Sequence, residues 1–144
     1  MKTMIAMLIS ATLLFAFDLR KSGDTVVDKT HKLLWQDHPH NTKVILTHPH
    51  AIEYCEKLKQ GGFMNWRLPS VEEYEYIIDK SRVKEEIMIN KVFYHIVQDD
   101  YWTSDRTWIR NFGRYAYYVF FKSGAVYYQN RTYPKYVRCV RDMK

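Results

Sequence analysis

The stretch WRLPSVEE, residues 66–73, restricts the local fold more tightly than any other part of this sequence. Pro69 disfavours a helical conformation at the residue before it, so a helix can begin only beyond this point. Ser70 and Glu73 have the spacing of a capping box, in which each side chain accepts a hydrogen bond from the other residue's backbone N–H. Apolar residues then recur on one side and acidic residues on the other. The pattern predicts an amphipathic helix over residues 71–79.

The residues before Pro69 predict a short extended segment that leads into this helix. Side chains alternate in such a segment, so Trp66 and Leu68 are expected to face the core. Arg67 then faces the opposite way, where it can pair with a carboxylate or a carbonyl. Capping and packing explain the motif without catalysis.

A second helix is predicted within residues 51–60. Four residues follow one another at helical spacing and form one apolar stripe, namely Ala51, Tyr54, Cys55 and Leu58. Thr47 or His48 can cap the helix, and Pro49 suits its first turn. Gly61 is expected to end it in a left-handed conformation.

Aromatic and β-branched residues predict several antiparallel strands. The clearest is a hairpin over residues 116–130, AYYVFFKSGAVYYQN, with its turn at residues 122–124. A shorter hairpin joins residues 26–27 to 33–35. Further strands are expected at residues 44–46, 101–105 and 136–141. Residues 82–100 are expected to be mainly loop. Helices early and strands late predict an α+β fold, with two helices packed on antiparallel strands and hairpins.

The first seventeen residues have the features of a secretory signal peptide. Lys2 is followed by an apolar run without charge up to Asp18, which is short for a bilayer span. We expect residues 1–17 to be the signal and residues 18–144 to form one exported domain, periplasmic, cell-surface or secreted. No stable membrane insertion is expected after cleavage. An uncleaved anchor and a first buried strand are the alternatives.

The chain contains two cysteines, Cys55 and Cys139, and neither belongs to a CxxC pair. An exported protein with an even cysteine count most simply forms one disulfide. Two unpaired buried thiols are the alternative. Neither cysteine has a histidine neighbour in the sequence, which disfavours an activated catalytic thiol.

Basic charge is concentrated in the last third of the chain. From Tyr101 onward nine Lys and Arg residues face two acids, whereas from Asp18 to Asp100 twelve face fourteen. Such a field favours an anionic partner: a sulfated or acidic glycan, lipopolysaccharide or an anionic membrane. Export argues against nucleic acid. A solvated basic surface that only aids solubility is the alternative.

Five segments together resemble one known family: KLLWQD, AIEYCEKLKQGGFMNWRLPSVEEYEYII, YWTSD, AYYVFFKSGAVYY and YVRCVRD. In this combination they are similar to the C-terminal domain family of bacterial collagen-like adhesins, the Lcl C-terminal domain. The resemblance covers about residues 23–142, nearly all of the chain beyond the predicted signal.

The resemblance implies a C-type-lectin-like fold, related to that of formylglycine-generating enzymes and of bacterial and phage receptor-binding proteins. A disulfide from a helix to the last strand is common in that fold, which implies a Cys55–Cys139 pair. The family's best-studied member is an adhesin that binds sulfated glycosaminoglycans and carries a collagen-like stalk. This sequence has no Gly-X-Y repeat.

We expect no calcium-dependent sugar site and no cofactor. Calcium-dependent lectins of this fold use Glu-Pro-Asn or Gln-Pro-Asp loops and a Trp-Asn-Asp strand, and none of these tripeptides occurs here. One metal hypothesis stays open, in which the HPH runs gather imidazoles around Zn²⁺ or Cu²⁺, although the intervening prolines hinder joint chelation. It involves His38, His40, His48 and His50.

Candidate ligand-binding residues come from the basic and aromatic last third. Arginine binds sulfate or carboxylate through paired hydrogen bonds, and tyrosine and tryptophan offer flat faces to sugar rings. Residues 105–114 are expected to be a long exposed loop in the implied fold. We expect the site to use Arg106, Trp108, Arg110, Arg114, Arg131, Tyr133 and Lys135, within a wider basic set that includes Lys122 and Arg138. The alternative is that several tyrosines form core or cross-strand pairs.

The sequence therefore predicts an exported, non-enzymatic, calcium-independent module that binds an anionic glycan or a cell-surface partner. A periplasmic structural or protein-interaction module without glycan binding is the alternative. A third candidate is an enzyme of the formylglycine-generating kind, but those enzymes use a pair of active-site cysteines, and a structural disulfide would occupy both cysteines of this chain. The oligomeric state is not predicted.

Overall fold

The protein is described from a computed structural model, which covers residues 18–108 and 112–144. The predicted signal peptide and the candidate Arg110 lie outside these residues. The helices are α1 (His48–Lys57) and α2 (Val71–Glu75), with short 3₁₀ helices at Pro39–Thr42 and Lys80–Glu85. The strands are β1 (Leu19–Ser22), β2 (Thr25–Asp28), β3 (Leu33–Gln36), β4 (Ile45–Leu46), β5 (Asp100–Thr107), β6 (Tyr115–Phe120), β7 (Ala125–Asn130), β8 (Lys135–Tyr136) and β9 (Val140–Asp142).

The strands form two sheets. The first has the order β1-β2-β3-β9 and is antiparallel throughout, so the first three strands and the last strand belong to one sheet. The second has the order β4-β8-β5-β6-β7, in which β5 and β8 run parallel and the other pairs run antiparallel. The structure confirms a mixed α and β architecture with few helices and both predicted hairpins, but the parallel pair differs from the purely antiparallel prediction.

The predicted final strand is two strands in different sheets. Three consecutive side chains, those of Val137, Arg138 and Cys139, are buried. Residues 137–139 belong to neither sheet: the Val137 carbonyl accepts a hydrogen bond from the Asn41 side chain, and the Cys139 amide donates one to the Gln36 side chain. The chain crosses here from β8 in the second sheet to β9 in the first.

Two apolar clusters form the core, one on each side of β5. Tyr101 packs with Val119, Phe121 and α2 on one side, and Trp102 packs with Ala116 and α1 on the other. Trp66 and Leu68 are 2% and 3% exposed, as the entry segment predicts. The core therefore holds the open end of the β6–β7 hairpin in a fixed place.

The capping box of α2 is confirmed. The hydroxyl of Ser70 accepts from the Glu73 amide at 3.1 Å, and Glu73 accepts from the Ser70 amide at 2.9 Å. Arg67 donates to both Glu73 oxygens, at 2.6 and 2.7 Å, and also pairs with Asp142. The WRLPSVEE stretch therefore joins the start of α2 to β9.

α2 is shorter than predicted and ends at Glu75. The amide of Asn90 donates to the Ile77 carbonyl at 2.8 Å, and Ile78 forms a bridge with Ile89. These bonds satisfy backbone groups that a longer helix would use. Between this bridge and Asp100 the chain is mainly loop, as predicted.

A disulfide joins Cys55 of α1 to Cys139 in the crossing segment, and both residues are fully buried. The predicted role of Gly61 as the end of α1 is wrong. The helix ends at Lys57, because Leu58 already has an extended backbone. Gly61 has a φ of +63° and serves the following tight turn, in which Phe63 bonds Gln60.

Arg138 belongs to the core, so its inclusion in a ligand-binding surface is wrong. It is 0% exposed and donates to the Gln36 carbonyl and to Asp37. Burial would raise the pKa of Asp37, but the charges of Arg138 and Lys21 and two backbone N–H donors lower that pKa below its usual value. The pair therefore stays ionised inside the domain.

Candidate functional site

The open end of the β6–β7 hairpin brings two of the predicted arginines together. Tyr115 and Asn130 are the last paired residues of the two strands. Arg114 directly precedes this pair and Arg131 directly follows it, and the Arg131 amide donates to the Arg114 carbonyl at 2.9 Å. The hairpin register therefore fixes both backbones side by side.

The first residue of α1 packs against this hairpin end. The backbone N–H of His48 donates to the carbonyl of Arg131 at 3.0 Å. The Nε of Arg131 donates to Nδ1 of His48 at 2.8 Å, and Nε2 of His48 lies 2.7 Å from the carbonyl oxygen of Thr103 in β5. His48 thus connects α1, β5 and the residue that follows β7.

His48 is uncharged in this position. Burial, the charge of Arg131 and the charge of Arg106 together lower the pKa of His48 to about 4, although its bond to the Thr103 carbonyl acts in the other direction. Burial and then the charge of Arg106 also lower the pKa of Arg131 below its usual value. A guanidinium stays protonated in proteins, so the site is cationic at neutral pH.

Arg114 and Arg131 line a cleft of about 350 Å³ together with Thr47, Pro49, Asn130 and Thr132. We name it the arginine cleft. Arg114 is exposed and Arg131 is partly buried. Among the described residues, the lining contains two arginines, two threonines and an asparagine but no Asp or Glu. Such a set can donate hydrogen bonds to an anionic group from several directions.

Arg106 and Trp108 lie beside the same hairpin end. Arg106 donates to the Gly113 carbonyl through Nε at 3.0 Å and Nη2 at 2.6 Å, and its guanidinium lies 5.2 Å from the Trp108 ring centre. The predicted long loop over residues 105–114 is wrong at its start, since β5 continues to Thr107. Arg106 is therefore a strand residue whose direction is set by Gly113.

Two other predicted site residues lie apart from the arginine cleft. Lys135 is 5% exposed, pairs with Asp100 at 3.0 Å and lies 3.8 Å from the Tyr118 ring centre, so its charge is already used. Tyr133 is 53% exposed in the turn after β7 and does not line the cleft.

The tyrosines of the hairpin divide into cross-strand pairs, as the alternative interpretation predicts. Tyr117 opposes Tyr128, and Tyr118 opposes Tyr127. Tyr117 and Val126 also line a second cleft with Val71, Asp105 and Arg106. The carboxylate of Asp105 accepts a hydrogen bond from the backbone N–H of Val71, the first residue of α2, at 2.8 Å.

The sequence interpretation missed the part of the site that comes from α1. Thr47 and His48 entered it only as helix-capping or metal-binding candidates. Their place against Arg131 depends on how α1 packs across β5, which no local pattern records.

The four histidines of the HPH runs do not gather around one point. His38 and His40 have ring centres 4.2 Å apart, whereas His48 is buried against β5 and His50 is exposed on α1. Within residues 18–108 and 112–144, no group of three or more His, Cys, Asp or Glu side chains could hold a metal ion. No helix in the described part of the chain is long and apolar enough to cross a bilayer.

Comparison with known families gives the class of this domain. The family model of the Lcl C-terminal domain matches residues 24–141, which include strands β2 to β8, most of β9, the disulfide and the arginine cleft. The chain therefore belongs to the Lcl C-terminal domain family. A search of curated proteins found no match.

Proposed function

We propose that this protein is an exported, non-enzymatic module that binds an anionic glycan through the arginine cleft, without calcium. One observation carries the proposal: two arginines line a cleft at the open end of a hairpin, and no Asp or Glu is among its described lining residues. Because arginine matches sulfate and carboxylate geometry with paired hydrogen bonds, such a cleft suits sulfate esters and uronic acids. Its volume of about 350 Å³ suits one charged sugar unit.

Calcium independence follows from the ligands that the cleft offers. Calcium requires several oxygen ligands and usually carboxylates. The described residues that line the cleft include no Asp or Glu. Direct charge pairing replaces metal bridging in this proposal.

We further propose that the domain has a C-type-lectin-like fold and is exported. Membership of the family supports the fold. The pairing of β3 with the final strand β9, and the disulfide from α1 to the segment that crosses between the sheets, also support it. The disulfide also supports export, because such bonds persist in oxidising compartments. The apolar segment after Lys2 also supports export.

Binding of the purified protein to dextran sulfate, with uncharged dextran as the matched control, tests the proposal. We expect binding to dextran sulfate alone, weakening as salt rises from about 0.05 to 0.5 M and unchanged by EDTA. Arg114→Gln and Arg131→Gln should each weaken binding about tenfold, which corresponds to about 1.4 kcal/mol.

Arg20→Gln, on an exposed residue of β1, is the matched control and should leave the affinity unchanged. Equal binding to both polymers, or full affinity in both cleft variants, would remove the proposal.

One observation favours a protein-interaction module as the second candidate. β7 is an open edge of the second sheet, carries no charge within its six residues, and exposes Val126, Tyr127 and Tyr128 by 37%, 51% and 55%. Unprotected edges of this kind can pair with a strand of another chain. Loss of a captured protein partner in Tyr128→Lys, with no dextran sulfate binding by the wild type, would favour this candidate.

A further inference from the structure

His48 makes two hydrogen bonds whose partners fix its protonation state. The carbonyl of Thr103 can only accept, so Nε2 of His48 must carry a proton to make the 2.7 Å contact. The Nε–H of Arg131 can only donate, so Nδ1 of His48 must present a lone pair at 2.8 Å. Only the neutral imidazole with its proton on Nε2 makes both bonds.

The charged groups around His48 favour the same state. Arg131 and Arg106 are the charges that act on it, both are cations, and no described carboxylate opposes them. The ring is fully buried and meets Trp102 edge-on at 5.0 Å, so water does not reach the imidazole. A proton added at Nδ1 would place two donors and two positive charges face to face.

This contact determines how Arg131 is presented to the cleft. Its Nε is occupied by His48 and its backbone carbonyl accepts from the His48 amide. The terminal nitrogens Nη1 and Nη2 are therefore the part of the guanidinium left for a ligand. Fixing the side chain before binding removes an entropic cost that an unrestrained arginine would incur.

We propose that His48 is a positioning residue of the arginine cleft, whose unprotonated Nδ1 holds the Arg131 guanidinium in place for an anionic ligand and whose protonation releases it. The inference rests on the proposed anion-binding function and adds its regulation by pH. It gives an unusual sign. Added positive charge ordinarily strengthens the binding of a protein to a polyanion, whereas protonation of His48 weakens it.

Two variants separate positioning from general support of the fold. In His48→Asn the side-chain oxygen comes near the position of Nδ1, so the acceptor for Arg131 is restored and the Thr103 bond is lost. In His48→Gln the amide nitrogen comes near the position of Nε2, so the Thr103 bond is kept and the acceptor for Arg131 is lost. Both variants remove the titrating ring and one hydrogen bond.

The experiment measures the affinity for a dextran sulfate oligosaccharide from pH 7 to pH 4, with near-UV circular dichroism to confirm the fold at each pH. At pH 7 we expect His48→Gln to bind about tenfold more weakly than the wild type, and His48→Asn to recover most of that loss. As the pH falls toward 4, wild-type affinity should decline while that of His48→Asn does not.

Equal losses in the two variants, or a wild-type affinity that only rises in acid, would overturn the positioning role while leaving the anion-binding function intact. Absence of wild-type binding at pH 7 would overturn both. If His48→Gln does not fold, the pH profiles of the wild type and His48→Asn decide the matter.

Discussion

Arg114 and Arg131 are cleft residues, whereas Arg138 is a core residue, although all three stand among tyrosines and valines in one basic stretch of sequence. Arg138 is fully buried beside Asp37, and Arg114 is exposed on the cleft. Local patterns cannot separate these environments, because the difference arises where residues 137–139 cross between the sheets. The arginine pair of the site was therefore predictable from residue type, but the removal of Arg138 and Lys135 from the surface was not.

Replacement of Arg138 should destabilise the fold strongly. Arg138→Met leaves the buried Asp37 carboxylate without its guanidinium partner, and breaking a buried pair in this way costs about 3–5 kcal/mol. Urea unfolding at pH 7 measures the loss. Arg114→Met, on an exposed residue, is the control and should change stability by less than about 0.5 kcal/mol. A loss for Arg138→Met as small as that of the control would contradict this account.

His48 should make the fold sensitive to acid. Burial and the two neighbouring arginines lower the pKa of His48 from 6.5 to about 4 in the folded state. Between these values the unfolded chain binds a proton that the folded protein excludes. The stabilisation is complete above pH 6.5 and is lost as the pH falls toward 4, by roughly 3 kcal/mol.

Urea unfolding at pH 7, 5.5 and 4.5 measures this loss in wild type and in His48→Asn. The difference between the two proteins in how steeply the free energy of unfolding changes with pH isolates His48 from other titrating groups. Parallel slopes would show that a buried neutral imidazole is not the source of the acid sensitivity.

At the scale of elements, prediction worked where local chemistry decides the outcome. Ser70 and Glu73 cap α2 as their spacing requires, and the Lys-Ser-Gly turn joins β6 to β7. It failed where distant backbone partners decide the length of an element. α2 ends early because residues 88–90 bond to residues 77–79, and β5 extends past the predicted strand because β6 pairs with it up to Thr107.

The turn between β5 and β6 depends on Gly113. Its φ is +77°, and a Cβ there would lie 2.7 Å from Nη2 of Arg106 and 3.0 Å from the Trp108 ring. Gly113→Ala should therefore destabilise the protein and displace Arg106. Gly23→Ala is the matched control, because Gly23 also has a positive φ of +56° but has nothing within 4 Å of the added carbon.

We expect Gly113→Ala to lose at least about 1 kcal/mol more than Gly23→Ala, since backbone strain is common to both and only the first adds a steric clash. Thermal unfolding of the two variants measures the difference. Equal losses would mean that Arg106 and Trp108 move aside without consequence.

At the scale of the molecule, one disulfide connects α1 to the segment of residues 137–139 that leads from the second sheet to the first. Cys55 and Cys139 are 84 residues apart in sequence and were predictable as a pair from their number and from the family resemblance. The order of the strands was not predictable, because the parallel pairing of β8 with β5 and the crossing to β9 depend on contacts that close only in the folded chain.

Reduction of this disulfide should lower stability by about 4–5 kcal/mol in the chain-entropy account, because it frees a long loop in the unfolded state. Urea unfolding with and without a reductant measures the change. The Cys55→Ser/Cys139→Ser double variant is the control, and the reductant should not change its unfolding midpoint. An unchanged midpoint for the wild type would contradict this expectation.

The same link has a consequence for a protein that meets proteases. α2, the long loop after it, and both arginines of the cleft lie between Cys55 and Cys139 in sequence. A single cut anywhere in that interval opens a covalent ring but detaches neither piece. A nicked molecule would migrate as one band on a non-reducing gel, split into two bands after thiol treatment, and keep the cleft's two guanidinium groups tethered to one particle in the meantime.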